Sequence, residues 1–312
     1  MAFSLSDRHH IVNYHYVEDP RPDFRGIHPV PPERFEREVA FMRSHGRIAT
    51  VPEVAAAARA GGEETLFAIT FDDGLEDQYQ NAVPILRKHG APATFFIITK
   101  TLDGKLPQTH KIHLLLSRSS VEELIDAANG FFAAHGLERY HIPKDRRVTD
   151  KRKLRDDIPT ANFKETVNVL RGDEQERLLS FLVAALTLDE PALARELFMD
   201  REDIKNLADS GFEVGSHTHN HYALDLEPRE IIESEIDAAH RILAAITGKE
   251  PSIFCGPHGG SSELVREVIA LRGYTHAVTI GRRAVSADDD PLLLPRHDTN
   301  DLRDFMEARR ET

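Results

Sequence analysis

Leu66-Phe67-Ala68-Ile69-Thr70-Phe71-Asp72-Asp73-Gly74 is the stretch that decides the fold. Its first six residues are almost all apolar, with no polar alternation. That pattern suits a strand covered on both faces, as in a parallel sheet. Two carboxylates and a glycine then end it abruptly. A helical pattern follows over residues 76–88 with Gly90 just past it, and residues 93–98 form a second apolar run. Strand, helix, strand in that order predicts βαβ units, and so a barrel or a doubly wound sheet.

Outward from this stretch the pattern repeats, with one interruption. Residues 11–17 read as a strand, 33–45 and 51–59 as helices. From about Lys100 to Met199 strand runs stop and helical periodicity takes over, with helices expected over 121–132, 174–185 and 191–198 around a polar centre at 137–160. A loop of that length without structure would be improbable, so 100–199 reads as a helical insertion within a single catalytic domain spanning 1–312. The βα pattern then resumes. Asp200 can cap a helix over 201–210, 212–216 is a short strand, and Glu227-Pro228 opens a helix to about 246. Residues 252–255 form a strand ending in Gly256-Pro257-His258-Gly259-Gly260. A helix over 264–271 and strands over 275–280 and 292–296 complete the chain.

Bulk properties exclude several classes. A chain of 312 residues with 40% apolar content holds an ordinary globular core. The net charge of −13 argues against a nucleic-acid surface; the basic runs Lys144-Asp145-Arg146-Arg147 and Lys151-Arg152-Lys153 read as solvated helix ends or loop. Cys255 is the single cysteine, so neither an intrachain disulfide nor a thiolate-rich zinc site can form. The N-terminal residues have no apolar stretch of signal-peptide length. No run approaches the roughly 18 apolar residues that span a bilayer. The expectation is a cytoplasmic protein of undetermined oligomeric state.

The chemistry is expected where the strands end, since sites in such folds form at strand carboxyl ends. Asp72 and Asp73 are neighbours on an extended chain, so their side chains point opposite ways and have different partners. Ser216-His217-Thr218-His219-Asn220-His221 ends another strand. His217 and His221 share a face if the strand runs into a helical turn, whereas all three histidines share one if it stays extended; the former is favoured. Two His and one Asp make a catalytic zinc set with open positions for water, and the same set suits cobalt, nickel or manganese. The second Asp is then free to move a proton.

Thr70-Phe71-Asp72-Asp73-Gly74 and His217-Thr218-His219-Asn220-His221 resemble the first two motifs of the polysaccharide deacetylases, the NodB-homology group or carbohydrate esterase family four. Phe254-Cys255-Gly256-Pro257-His258-Gly259 looks like a divergent third. The resemblance covers about 7–99 and 200–301. It implies an irregular (β/α)7-type barrel and a metal-dependent hydrolase that removes an N-acetyl or similar acyl group from an amino sugar. With the expected location, this suggests an intracellular precursor of a surface polysaccharide. It further implies that Asp72 is the general base and that Asp73, His217 and His221 hold one divalent ion. Thr218 would orient the second motif, and the backbone around Pro257, His258 and Gly259 would line the substrate groove and supply an oxyanion donor. His15, in Asn13-Tyr14-His15-Tyr16, occupies a place where related deacetylases carry a Tyr-His near the site.

Two departures stand out. Cys255 stands where the third motif often has an arginine that orients the catalytic aspartate, and Arg296, closing the last strand, is the candidate replacement. The family's late Leu-any-His motif, source of the general acid, has no clean match; His276 and His297 are formal candidates. His110 and His113 could face the site from a lid, without direct metal ligation expected. The competing readings are another metal amidohydrolase using His217 and His219, and a non-catalytic sugar-binding homologue.

Overall fold

The computed structural model describes all residues except 1, 2, 6, 23, 25, 26, 149–155, 187 and 309–312, so Lys151-Arg152-Lys153 lies outside the described residues. Eight strands occur among them: β1 (His9–Tyr14), β2 (Arg47–Ile48), β3 (Leu66–Phe71), β4 (Thr94–Ile97), β5 (Glu213–Ser216), β6 (Ile253–Cys255), β7 (His276–Ile280) and β8 (Leu294–Asp298). All pair in parallel. Because β1 pairs with both β8 and β3, seven strands close into a ring, and the short β2 flanks the start of β3. This is the barrel that the resemblance implies, and one of the two architectures that the residue pattern allows.

Alternation along each strand sorts the side chains into two layers. Phe67, Ile69 and Phe71 of β3 face outward and pack with Phe35, Val39 and Met42 of the helix Pro32–His45. Leu66 and Ala68 face inward, joining Ile11, Phe96, Ile253, Cys255, Val278 and Leu294 from five other strands. The inward parity continues upward through Asn13, Thr70 and Arg296, so polar groups cap an apolar barrel core at its carboxyl end.

Between β4 and β5 lie the helices Gln108–Arg118, Val121–Ala134, Ile158–Asn168, Gly172–Ala184 and Glu190–Leu197. They bury a cluster of their own that includes Ile112, Phe132, Phe163 and Leu178. A second cluster joins Tyr16 and Leu75 of the barrel to Leu106, Leu114 and Phe198 of this segment. The sequence pattern does not reveal the helices Gln108–Arg118 and Ile158–Asn168. Their buried faces carry Gln108, His110 and Lys111 in one and Asn162 and Lys164 in the other, which blurs the apolar period. The terminal helix Thr299–Ala308 was likewise not expected. No described helix is long and apolar enough to cross a membrane.

His297 and His276 are not placed to supply a general acid. On β8, Arg296 points inward and His297 therefore points outward. It is buried against Phe3 and lies 3.2 Å from His10 Nδ1. His276 begins β7, at the end of the barrel away from the strand carboxyl termini. Burial, with a smaller effect of the neighbouring His10, pushes His297 down to about 4. The unfolded chain, with the ordinary value of 6.5, then binds a proton that the folded chain does not between pH 6.5 and 4. Stability must therefore fall as pH drops through that window, by at most about 1.4 kcal/mol per pH unit from this residue. Urea unfolding at a series of pH values is expected to show this slope, and His297→Gln to flatten it.

Candidate metal centre

The turn after β3 divides the two carboxylates. Asp72 continues the inward parity of Thr70 and meets Arg296, whose Nη1 and Nη2 donate to its two oxygens at 2.7 and 2.8 Å. The guanidinium also donates to Asn13 Oδ1 at 3.0 Å and to Thr70 Oγ1 at 3.2 Å, and its Nη2 lies 3.2 Å from Cys255 Sγ. Arg296 thus occupies the neighbourhood that the arginine-less third motif leaves open, with the small Cys255 beside it. Burial alone would raise the Asp72 carboxyl, but the Arg296 charge, His217, the Arg296 hydrogen bonds and His15 together outweigh it and hold Asp72 below the ordinary range.

Asp73 turns the other way. Its backbone is left-handed, with φ 76°, and Gly74 follows at φ 70°. A Cβ on Gly74 would meet Ile97 Cδ1 at 2.9 Å, so glycine is required there on both counts. Asp73 Oδ1 lies 3.5 Å from Nε2 of His217 and 3.5 Å from Nε2 of His221. Thr218 and His221 are also left-handed, both at φ 65°. Such strained non-glycine residues gather at functional sites. The bend brings His217 and His221 together, while His219 turns away to Thr99 Oγ1 at 2.9 Å. Thr218 is fully buried, and its Oγ1 accepts from the His221 N–H at 3.0 Å. It holds the turn rather than lining the groove.

The donor set fits a metal ion. Asp73, His217 and His221 each offer a ligand atom within 4.8 Å of the others. His217 Nδ1 lies 2.7 Å from the Cys255 carbonyl oxygen, which fixes the proton on Nδ1 and leaves the Nε2 lone pair toward Asp73. The pocket is also short of positive charge. Burial lowers His217, yet Cys255, Asp73 and Asp72 together drive it well above its ordinary value. A cation at Nε2 would relieve the same deficit.

A cleft of about 340 Å³ opens over these groups. Asn13, His15, Gly256, His258, Gly259 and Ile280 line it, with Thr109, His113 and Lys164 from the inserted helices. His15 Nε2 stands 3.8 Å from Asp72 Oδ2, and the His258 ring meets that of His221 at 5.1 Å. Pro257 is buried, and the wall is formed by its neighbours Gly256, His258 and Gly259. The insertion adds one more group: buried His110, with Nε2 3.6 Å from Asp73 Oδ2. Burial pushes it down to about 4. Lys164 and Thr109 carried no sequence signal, because their approach depends on how the inserted helices dock.

Comparison with known proteins agrees with this geometry. The family model described as polysaccharide deacetylase matches residues 59–145 and 155–277, more than half of the chain. Among curated relatives, poly-beta-1,6-N-acetyl-D-glucosamine N-deacetylase of Staphylococcus epidermidis is 26% identical over 146 residues, which is 43% of this chain and 50% of that enzyme. The chain spans half or less of the length of the curated relatives it matches. Among solved structures, the Streptococcus pyogenes deacetylase PplD in complex with acetate superposes with a TM-score of 0.60 at 16% identity, covering 93% of this chain and 92% of that one. The de-N-acetylase of Aggregatibacter actinomycetemcomitans does so with a TM-score of 0.56 at 15% identity, covering 96% of this chain and 100% of that one. The structural likeness establishes the fold. The family match establishes that this chain belongs to the polysaccharide deacetylases, a hydrolase family that is generally metal-dependent.

Calorimetric titration with Zn2+ is expected to give one ion per chain. Asp73→Asn and His221→Ala should each weaken binding by more than about 100-fold, beyond what loss of an outer partner costs. His219→Ala should stay within a few-fold of the parent.

Proposed function

Taking that membership as the premise, we propose that this chain is a metal-dependent N-deacetylase. It would remove an N-acetyl or similar acyl group from an amino sugar of a surface polysaccharide or its intracellular precursor. The catalytic unit is the whole 1–312 domain, with 100–199 as an insertion shaping one wall of the cleft. The observation that carries this reading is the division of labour between adjacent carboxylates: Asp73 faces two histidines, while Asp72 is held by Arg296 with an open cleft above it. The Staphylococcus epidermidis relative, by its name, acts on an N-acetylglucosamine polymer, which supports the substrate class.

Asp73, His217 and His221 would hold the ion, with zinc proposed and cobalt, nickel or manganese as alternatives. When bound, it supplies Lewis-acid polarisation of the acyl carbonyl and acidifies a water toward a pKa of about 7. The chain's own groups do the rest. Asp72, kept ionised by Arg296, accepts the proton of the attacking water. Arg296 fixes the carboxylate in one orientation, so its geometry for accepting that proton is set before substrate arrives. In the 257–259 turn Pro257 has no N–H, and the Gly259 N–H bonds to the Gly256 carbonyl at 3.1 Å. The backbone around Pro257 and His258, which lies at the cleft wall, would supply a donor for the developing oxyanion. His258 has a left-handed backbone, at φ 55°, and lines the cleft. The proton must finally reach the departing amine, and His15, exposed to the cleft beside Asp72, stands on that path.

Acetate release from N-acetylglucosamine oligomers and from N-acetylated nucleotide sugars tests the reading and separates polymer from precursor. A chelator should abolish release and Zn2+ restore it. Asp72→Asn should cut kcat by about 10²–10⁴-fold, the range of a lost general base, with Zn2+ affinity retained. Turnover by Asp72→Asn equal to the parent would refute the assignment. Arg296→Met removes the largest charge opposing the burial of Asp72, so its pKa rises and more of the base is protonated at a given pH. The acid limb of kcat/KM should therefore move to higher pH by about one unit or more.

A further inference from the structure

Asp73 has two carboxylate oxygens, and they face different groups. Oδ1 faces His217 and His221, each at 3.5 Å, whereas Oδ2 faces His110 Nε2 at 3.6 Å. His110 lies in the first turn of the inserted helix Gln108–Arg118 and is 1% exposed. Neither of its ring nitrogens has a hydrogen-bond partner. A buried imidazole left so is costly, and such an orphan in a folded protein calls for an explanation. The ring is not loose: it meets Phe198 edge-on at 4.7 Å and Tyr16 at 5.9 Å. These two aromatic walls leave Nε2 aimed at the carboxylate. His110 is outside the set of mutually close ligand atoms formed by Asp73, His217 and His221, so the geometry does not make it a ligand.

We propose that His110 is a positioning residue of the metal centre, donating its Nε2–H to Asp73 Oδ2 so that Oδ1 alone is presented to the ion. The proposal rests on the reading of Asp73, His217 and His221 as metal ligands. Even a neutral imidazole carries one N–H, and the 3.6 Å gap closes to hydrogen-bond length by a few tenths of an ångström. Both ends of the inserted segment brace this arrangement. Next to His110, Lys111 Nζ is tied to Glu176 at 2.6 Å. At the far end, the Met199 N–H donates to the Gly74 carbonyl at 3.0 Å, directly behind the Asp-Asp turn. The insertion is thereby part of the metal centre, not only a wall of the cleft. Outer-shell partners of this kind change metal affinity by about 10–100-fold.

The test is titration of the full chain with Co2+, following heat and the visible d–d absorption, with thermal unfolding run on each variant. His110→Phe keeps the ring shape and removes the donor; His110→Gln restores an N–H. His110→Phe is expected to weaken Co2+ binding about 10–100-fold with the d–d band positions unchanged, and His110→Gln to recover most of the affinity. If His110→Phe does not fold, His110→Leu against His110→Gln carries the same comparison. Binding by the donor-less variant as tight as the parent's would overturn the proposal. So would a d–d spectrum that reports loss of a nitrogen ligand. Asp73→Asn in the same series separates the levels. If it loses Co2+ while His110→Phe does not, only this inference fails. If it binds as the parent does, the metal-centre reading beneath it fails as well.

Discussion

The bidentate pair between Arg296 and Asp72 is the constraint on which the rest of the site depends. It joins the third strand to the last across the top of the barrel, 224 residues apart in sequence, with both side chains buried. Removing either partner would strand a buried charge, a loss of roughly 3–5 kcal/mol. The pair also commits Asp72. With both oxygens held by the guanidinium, it is kept ionised, as the proposed base must be. The neighbouring Asp73 faces the histidines through a left-handed backbone, and Gly74 after it is left-handed too and packed too closely on Ile97 to carry a side chain.

Local strain recurs wherever the site needs a sharp change of direction. Asp73, Thr218, His221 and His258 are four of the five described non-glycine residues with positive φ. Each ends a strand or lies in the turn just after it, where the chain leaves the ladder. The barrel supplies the stiffness that tolerates this: its inner layer is packed with Ile, Leu, Val and Phe up to the level of Asn13, Thr70 and Cys255. Gly256 allows the third turn to close, since a Cβ there would sit 2.0 Å from the Gly260 carbonyl oxygen. Its neighbour Cys255 serves twice, by its carbonyl on His217 and its sulfur beside Arg296.

How much of this the sequence discloses follows the range of each interaction. The β3 run and the Asp72-Asp73 pair are legible because apolar continuity and a strand end are local signals. The choice of His217 and His221 over His219 is legible from their spacing, given a bend after the strand. Arg296 is reachable only as a candidate, from a missing arginine at Cys255; its pairing with Asp72 is a tertiary fact. His276 and His297 fail as acids because strand parity and strand end, not proximity in sequence, decide which way they face. His110 is visible as a histidine, but its approach to Asp73 depends on the docking of helices whose buried Gln, His and Lys residues hide their periodicity.

The central claim is that the two adjacent carboxylates do different work. A crystal structure of the zinc-loaded protein with acetate tests it most directly. The account predicts one ion bound by Asp73, His217 and His221, with Asp72 outside the coordination sphere, still paired to Arg296 and within hydrogen-bond reach of the acetate or a water beside it. An ion ligated by Asp72, or by His219 in place of His221, would contradict it.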